Sequence, residues 1–85
     1  MFQIEISSHA KKFLKRCDEI LYNRLTEKIK CLSLDPFPQD MKRIVGRKEK
    51  IFRIRVGNYR ILYAVFHETK TVLIADIDKR SRIYD

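Results

Sequence analysis

The chain has 85 residues, of which 45% are hydrophobic, and its 19 Lys and Arg against 11 Asp and Glu give a formal net charge of +8. This length holds one small domain, and 2 Gly and 2 Pro are too few for a disordered or low-complexity chain. No apolar run reaches the roughly 18 to 20 residues of a bilayer span, and the first residues do not resemble a signal peptide. We therefore expect a single folded domain over residues 1–85, located in the cytoplasm and without a membrane partner.

The first half of the chain has the pattern of one strand followed by two helices. Residues 2–6 alternate apolar and polar side chains, which is typical of a half-buried strand. Ser7 or Ser8 is suited to cap a first helix and Asp18 a second one, which must end before Pro36. The apolar stripes of these helices, at helical spacing, are Ala10, Phe13, Leu14 and Cys17, and then Leu21, Leu25, Ile29 and Leu32. We expect both stripes to face the core.

In the second half of the chain the apolar period changes to two. This period predicts strands at residues 50–56, 59–67 and 71–79, which are rich in Ile, Val, Phe and Tyr. Gly57 and Asn58 then form a two-residue loop that suits a primed turn in a tight hairpin. The sequence therefore predicts an α+β fold of order β-α-α-β-β-β, with two N-terminal helices packed on one face of a twisted antiparallel sheet.

The hairpin register distributes the side chains of its two strands between opposite faces. If Gly57 and Asn58 are the loop, Arg55 pairs with Arg60, and Arg53 lies on the same face. The opposite face, which we expect the helices to cover, carries Phe52, Ile54, Val56, Tyr59, Ile61, Tyr63 and Val65. Beyond the arginines, the first face continues with three apolar residues suited to a partner, Leu62, Ala64 and Phe66. Like charges directly opposite each other cost up to about 1 kcal/mol, so the arginine pair indicates a functional site.

Nearly all of the net charge lies in residues 41–60. This segment has eight basic side chains and a single acidic one, Glu49, whereas the charges elsewhere almost balance. Because a patch of one sign destabilises a compact protein by self-repulsion, the pattern favours a polyanionic partner, most often nucleic acid. Cys17 and Cys31 lack metal-site spacing and are expected to be buried thiols. The sequence has no catalytic triad, metal-ligand spacing or glycine-rich phosphate loop, so we expect no cofactor and no metal.

Two segments, FRIRVGNYRILY at residues 52–63 and KRSRIY at residues 79–84, resemble motifs of the RelE/ParE superfamily of toxins from type II toxin–antitoxin systems. The resemblance covers nearly the whole chain and is closer to the RelE branch. It implies a RelE-like fold and a ribosome-dependent, metal-independent endoribonuclease that cleaves mRNA in the ribosomal A site and so inhibits translation. It also implies a RelB-like antitoxin as partner. The alternative is the ParE branch, whose members inhibit DNA gyrase without nuclease activity.

The resemblance also assigns roles to individual residues. By position in the motifs, the residues that match the family's catalytic ones are Arg53, Arg55, Arg60, Arg80 and Tyr84. Further basic residues are expected to bind RNA, namely Arg43, Arg47, Lys48, Lys50, Lys79 and Arg82. Some relatives have lysine at the first two positions, and arginine is a poorer proton carrier than lysine.

Cleavage of RNA without a metal proceeds by attack of the ribose 2′-OH on the adjacent phosphate. Arg60 and Arg80 suit stabilisation of the phosphate charge, because a guanidinium donates two parallel hydrogen bonds. Tyr84 could act as a base if neighbouring arginines lower its pKa, or it could stack on an RNA base. A third interpretation is a plain nucleic-acid-binding module, which predicts steep salt dependence and no cleavage.

Overall fold

The computed structural model describes residues 1–44 and 50–79 of the chain. In chain order, the elements are β1 (Gln3–Ile6), α1 (Ser8–Arg16), α2 (Glu19–Leu34), β2 (Lys42–Arg43), β3 (Phe52–Val56), β4 (Tyr59–Phe66) and β5 (Thr71–Lys79). The predicted order of strand, two helices and three strands is confirmed, and the short strand β2 is added before the hairpin. No helix in the described ranges is long and apolar enough to cross a membrane.

The five strands form one sheet in the order β1-β5-β4-β3-β2. Strand β1 runs parallel to β5, whereas the other three neighbouring pairs are antiparallel. The predicted antiparallel arrangement thus holds for three of the four strand pairs, and the parallel pairing of β1 makes the sheet mixed. Parallel neighbours need a long crossover connection. The two helices form the first part of the connection from β1 to β5. The alternation of apolar and polar residues within β1 does not show which strand it pairs with.

Both helices begin at the predicted capping residues. The Ser7 side chain accepts a hydrogen bond from the Ala10 amide at 3.1 Å, and the Asp18 carboxylate accepts one from the Leu21 amide at 2.8 Å. Such caps satisfy amide donors that have no partner within the helix.

The core lies between the helices and one face of the sheet, as predicted. Its fully buried side chains come from both layers and include Leu25, Leu32, Ile54, Ile61, Tyr63 and Ile74. The Tyr63 hydroxyl donates a hydrogen bond of 2.7 Å to the Pro36 carbonyl and so ties the sheet to the loop after α2. Cys17 is half-buried as part of its stripe, but Cys31 is exposed, so its predicted burial was wrong. It lies two positions after Ile29, on the outer face of α2.

The β3–β4 hairpin has the predicted register. Gly57 has a φ of +59°, whereas Asn58 is not in the positive-φ region. A positive φ at the first loop residue alone is the pattern of a type II′ turn, whose twist matches that of the flanking strands. This turn places Val56 opposite Tyr59 and Arg55 opposite Arg60.

Candidate nucleic-acid interface

The sheet face opposite the helices carries a cluster of basic residues. Arg55 lies directly opposite Arg60 in the register of β3 and β4, and Arg53 lies two residues before Arg55 on the same face. Arg53 and Arg60 are only 3% and 4% exposed, whereas Arg55 is exposed. The predicted grouping of these three side chains on one face is thus confirmed by the register.

Strand β2 adds a fourth cation to this face, one that the sequence analysis did not select. Lys42 pairs with Arg53, and Arg43 pairs with Phe52, which packs against the core. Because directly paired residues share a face, Lys42 lies beside the arginines and Arg43 on the opposite face. Lys42 belongs to the basic segment of residues 41–60, but the sequence does not indicate its position beside Arg53, because that position depends on strand pairing. We call Lys42, Arg53, Arg55 and Arg60 together the arginine face.

Among the described residues, the electrostatics of the arginine face combine close positive charges with carboxylates of β5. Asp78 lies opposite Arg60 in the register of β4 and β5. None of the three arginines lacks an interaction partner within the chain. Guanidinium groups held in a partly dehydrated setting bind phosphate more strongly than they would in water, because a low dielectric strengthens each hydrogen bond.

The apolar end of this face is largely covered by the chain itself. Leu62 and Ala64 are 5% and 9% exposed, and Leu62 packs with Ile44 and Ile51 in a small second core. Only Phe66, which is 50% exposed, is open to a partner. The predicted apolar docking surface is therefore reduced to this one side chain, and for Leu62 the reason is its packing against Ile44 and Ile51.

The remaining predicted site residues are divided between the two faces or lie outside the described ranges. Lys50 is exposed just before β3. Lys79 pairs with Tyr59, which contacts Phe13 of α1, so Lys79 lies on the helix side of the sheet. The predicted site residues outside the described ranges are Arg47, Lys48, Arg80, Arg82 and Tyr84.

The two histidines lie away from the β3–β4 turn that carries the arginines. His9 Nε2 is 3.0 Å from Asp76 Oδ1, next to the start of α1. His67 stacks on Phe37, with ring centroids 5.6 Å apart, in the turn after β4. Within residues 1–44 and 50–79, no three side chains of His, Cys, Asp or Glu are grouped as metal ligands. The described part of the arginine face thus groups guanidinium donors of the kind that bind phosphate.

Comparison with known proteins gives one family. The family described as ParE toxin of type II toxin-antitoxin system, parDE, matches residues 4–84. A protein of Methanocaldococcus jannaschii that carries the toxin name RelE1 is 30% identical over 86 residues, which cover 98% of this chain and 94% of that protein.

Solved structures agree with this result. The RelE–RelB complex from Pyrococcus horikoshii OT3 contains a chain that matches with a TM-score of 0.82 and 26% identity, covering 96% of this chain and 98% of that one. The toxin–antitoxin complex RelBE2 from Mycobacterium tuberculosis contains one with a TM-score of 0.78 and 26% identity, covering 93% and 98%. Both structures are complexes of a toxin with its antitoxin.

Proposed function

Because this chain belongs to the ParE toxin family of type II toxin–antitoxin systems, within the RelE/ParE superfamily, we propose that it is a ribosome-dependent endoribonuclease. It cleaves mRNA in the ribosomal A site and thereby inhibits translation in the cytoplasm. A RelB-like antitoxin holds it inactive, in keeping with the toxin–antitoxin complexes among its structural relatives.

The observation that carries the proposal is the arginine face. Arg53 and Arg60 are buried beside exposed Arg55, and Lys42 adjoins them in the register. Grouping four cations destabilises the folded protein by charge repulsion, so a strand pair built this way is favoured where a polyanion binds. A toxin that acts only by binding another protein needs no such convergence on one phosphate.

In the proposed reaction, the ribose 2′-OH loses its proton to a base and its oxygen attacks the adjacent phosphorus. The bond to the 5′-oxygen of the next nucleotide breaks, and this leaving oxygen takes a proton from water, which gives a cyclic phosphate and a 5′-hydroxyl. Negative charge builds up on the two non-bridging phosphate oxygens. Arg60 and Arg55 donate hydrogen bonds to these oxygens, and each such donor is worth roughly 2.7 to 4 kcal/mol in the transition state. From their positions in the motif, Arg80 assists at the phosphate and Tyr84 either accepts the 2′-OH proton or stacks on a base of the message.

Primer extension on a message in a translating extract tests this proposal. The wild type is expected to produce new cuts within codons that require ribosomes, so naked RNA gives none. Arg55→Ala removes an exposed donor without opening a cavity, and cuts are expected to fall about 100-fold. Arg60→Lys keeps the positive charge but loses the two parallel hydrogen bonds of a guanidinium. Arg80→Ala tests whether this arginine contributes to cleavage.

The matched control is Lys30→Ala, which removes the same charge from an exposed position of helix α2 and should leave cleavage unchanged. Each variant is compared at equal protein level and equal thermal stability. Growth arrest without any cuts would contradict the nuclease proposal. DNA gyrase supercoiling is then the assay to run, because the matching family is named for ParE.

A further inference from the structure

A β-bulge in β5 turns two aspartates towards the face of the sheet that carries the arginines. Ile74 pairs with Tyr63, and both are fully buried in the core. Asp76 pairs with Leu62, the neighbour of Tyr63, so β5 contains one extra residue at this point. The bulge reverses the alternation of β5, because Asp76 would otherwise face the core as Ile74 does. Asp76 and Asp78 therefore lie on the face of the arginines.

The start of α1 is attached to the bulge and brings a histidine to Asp76. The Ser7 hydroxyl donates a hydrogen bond of 2.7 Å to the carbonyl of the extra residue, Ala75. Two residues after this serine, His9 Nε2 lies 3.0 Å from Asp76 Oδ1. The same carboxylate oxygen accepts a hydrogen bond of 2.7 Å from the Ile77 amide, which holds the carboxylate in place. His9 and Asp76 thus form an imidazole–carboxylate pair that joins the helix to the sheet.

An imidazole held by a carboxylate in this way is suited to accept a proton. When Nε2–H donates to Asp76, the neutral ring of His9 has its unprotonated nitrogen at Nδ1, and this nitrogen can act as a base. The carboxylate also stabilises the imidazolium that forms. The His9 side chain is 69% exposed, so a substrate can reach it. The other charged side chains that line the cavity beside His9 are two basic and two acidic ones, Lys12, Arg16, Asp18 and Asp78.

The pair borders the arginine face at the residue proposed to bind the phosphate. Asp78 lies directly opposite Arg60, and Asp76 is the next residue of β5 on the same face, further from the turn. Diagonal neighbours of this kind are roughly 7 to 8 Å apart. A phosphate bound by Arg60 therefore has its attached ribose within reach of groups held at Asp76. Bulges are frequent beside active sites, where they redirect a side chain.

We propose that His9 is the general base of the RNA cleavage and that Asp76 positions it. His9 Nδ1 takes the proton of the ribose 2′-OH while the 2′-oxygen bonds to phosphorus and the bond from phosphorus to the 5′-oxygen breaks. The leaving 5′-oxygen takes a proton from water, and the imidazolium then releases its proton to the solvent. Guanidinium groups stay protonated in proteins and do not carry out this step. The inference rests on the proposed nuclease, and it leaves Tyr84 the stacking role alone.

Chemical rescue on purified ribosomes that hold a message tests the role of His9. His9→Ala is expected to lower cleavage at least about 100-fold, which is the usual contribution of a general base. Imidazole added at constant pH and ionic strength should raise cleavage by His9→Ala about tenfold and leave the wild type unchanged. The matched control is His67→Ala, which removes an exposed histidine outside the pair and should cleave as the wild type does. A loss in His9→Ala that imidazole does not restore would mean that His9 only supports the structure, and the proposal would fail.

A double-mutant cycle tests whether Asp76 acts through His9. Asp76→Ala is expected to lower cleavage about tenfold, and Asp76→Glu, which restores a carboxylate, should recover part of the loss. In the His9→Ala background, Asp76→Ala should cause no further loss, because no imidazole remains to be positioned. The same loss from Asp76→Ala with and without His9 would overturn the positioning role.

The set of variants separates this inference from the proposed nuclease. If the wild type cuts the message, Arg55→Ala loses cleavage and His9→Ala does not, the nuclease proposal stands and only the assignment of the base fails. If the wild type makes no cuts on ribosomes, both proposals fail. Loss in Arg55→Ala and His9→Ala, with rescue by imidazole in His9→Ala alone, supports both.

Discussion

At the scale of single residues, the arginine face combines burial with charge in an unusual way. Arg53 and Arg60 are almost fully buried, yet they lie next to two further cations, Lys42 and Arg55. Burial of a charged group costs free energy unless partners compensate, and like charges add repulsion. This cost is understandable if a phosphate completes the site, because its oxygens accept the hydrogen bonds that guanidinium groups donate.

Strand β2 provides a sharp test of which basic residues act on RNA. Lys42 and Arg43 are consecutive and both exposed, but the register places only Lys42 on the arginine face. We predict that Lys42→Ala lowers cleavage in the translating extract about tenfold, as expected for loss of one charge contact to phosphate. Arg43→Ala, measured beside it, should lower cleavage much less. A larger loss of cleavage for Arg43→Ala than for Lys42→Ala would mean that RNA does not bind at the arginine face.

Tyr63 is predicted to stabilise the fold through its buried hydroxyl. Tyr63→Phe leaves the Pro36 carbonyl without this donor and should lower the free energy of unfolding at pH 8 by about 1 to 2 kcal/mol. Urea denaturation measures the change, and Tyr22→Phe on the exposed side of α2 is the control.

The same tyrosine predicts a dependence of stability on pH. Burial, with a smaller effect of Asp40 and Asp35, raises the pKa of the Tyr63 hydroxyl well above its ordinary value of 10.0. Below pH 10 the hydroxyl is neutral in both the folded and the unfolded chain, so its contribution is complete. Above pH 10 only the unfolded chain ionises, and the wild type should lose about 1.4 kcal/mol by pH 11. Tyr63→Phe lacks this loss, so the stability difference between the two proteins should narrow. A constant difference from pH 8 to pH 11 would contradict the prediction.

At the scale of elements, Ser7 joins the start of α1 to the middle of β5. Its side chain caps the helix by accepting from the Ala10 amide and also donates to the Ala75 carbonyl. Its own amide donates to the Ile74 carbonyl at 2.9 Å. These bonds fix α1 beside the place where β1 stops pairing with β5.

We therefore predict that Ser7→Ala lowers the free energy of unfolding by about 1 to 3 kcal/mol, through loss of the cap and of the bond to Ala75. Ser8→Ala, at the exposed first residue of α1, should change it by less than about 0.5 kcal/mol. Urea denaturation of both variants gives the comparison. Similar losses at the two serines would show that the bridge to β5 contributes nothing.

At the scale of the whole molecule, the described residues group basic side chains in two places, on the arginine face and on α1. These are two separate basic surfaces, one on each side of the sheet. Charge attracts a polyanion to the arginine face, and this association should weaken as salt is raised.

This distribution predicts how RNA binding depends on salt. With four cations on the arginine face, the logarithm of the association constant for single-stranded RNA should fall against log salt with a slope of about −3. Anisotropy with a 2′-O-methyl oligonucleotide, which cannot be cleaved, measures the slope. Arg55→Ala should reduce its magnitude by about 0.7. Lys11→Ala, on α1, is the control. If Lys11→Ala reduces the slope as much as Arg55→Ala does, RNA binding depends on the total charge of the protein and not on the arginine face.

The sequence by itself determined the local structure of this protein. The helix caps at Ser7 and Asp18, the apolar stripes and the hairpin register all depend on residues within about a dozen positions of each other. The grouping of Arg53, Arg55 and Arg60 followed from that register. Local hydrogen bonds and side-chain periodicity are sufficient to specify such features.

Only the tertiary structure decided how distant segments meet. The parallel pairing of β1 with β5 joins residues about 70 positions apart, and the placement of Lys42 beside Arg53 needs a strand of two residues. The cover over Leu62 likewise comes from Ile44 and Ile51, which are about seven positions apart in the chain and lie outside β4. The alternation of apolar and polar residues shows which side chains of a strand share a face. It does not show which other strand pairs with it, because strand pairing depends on the packing of the whole chain.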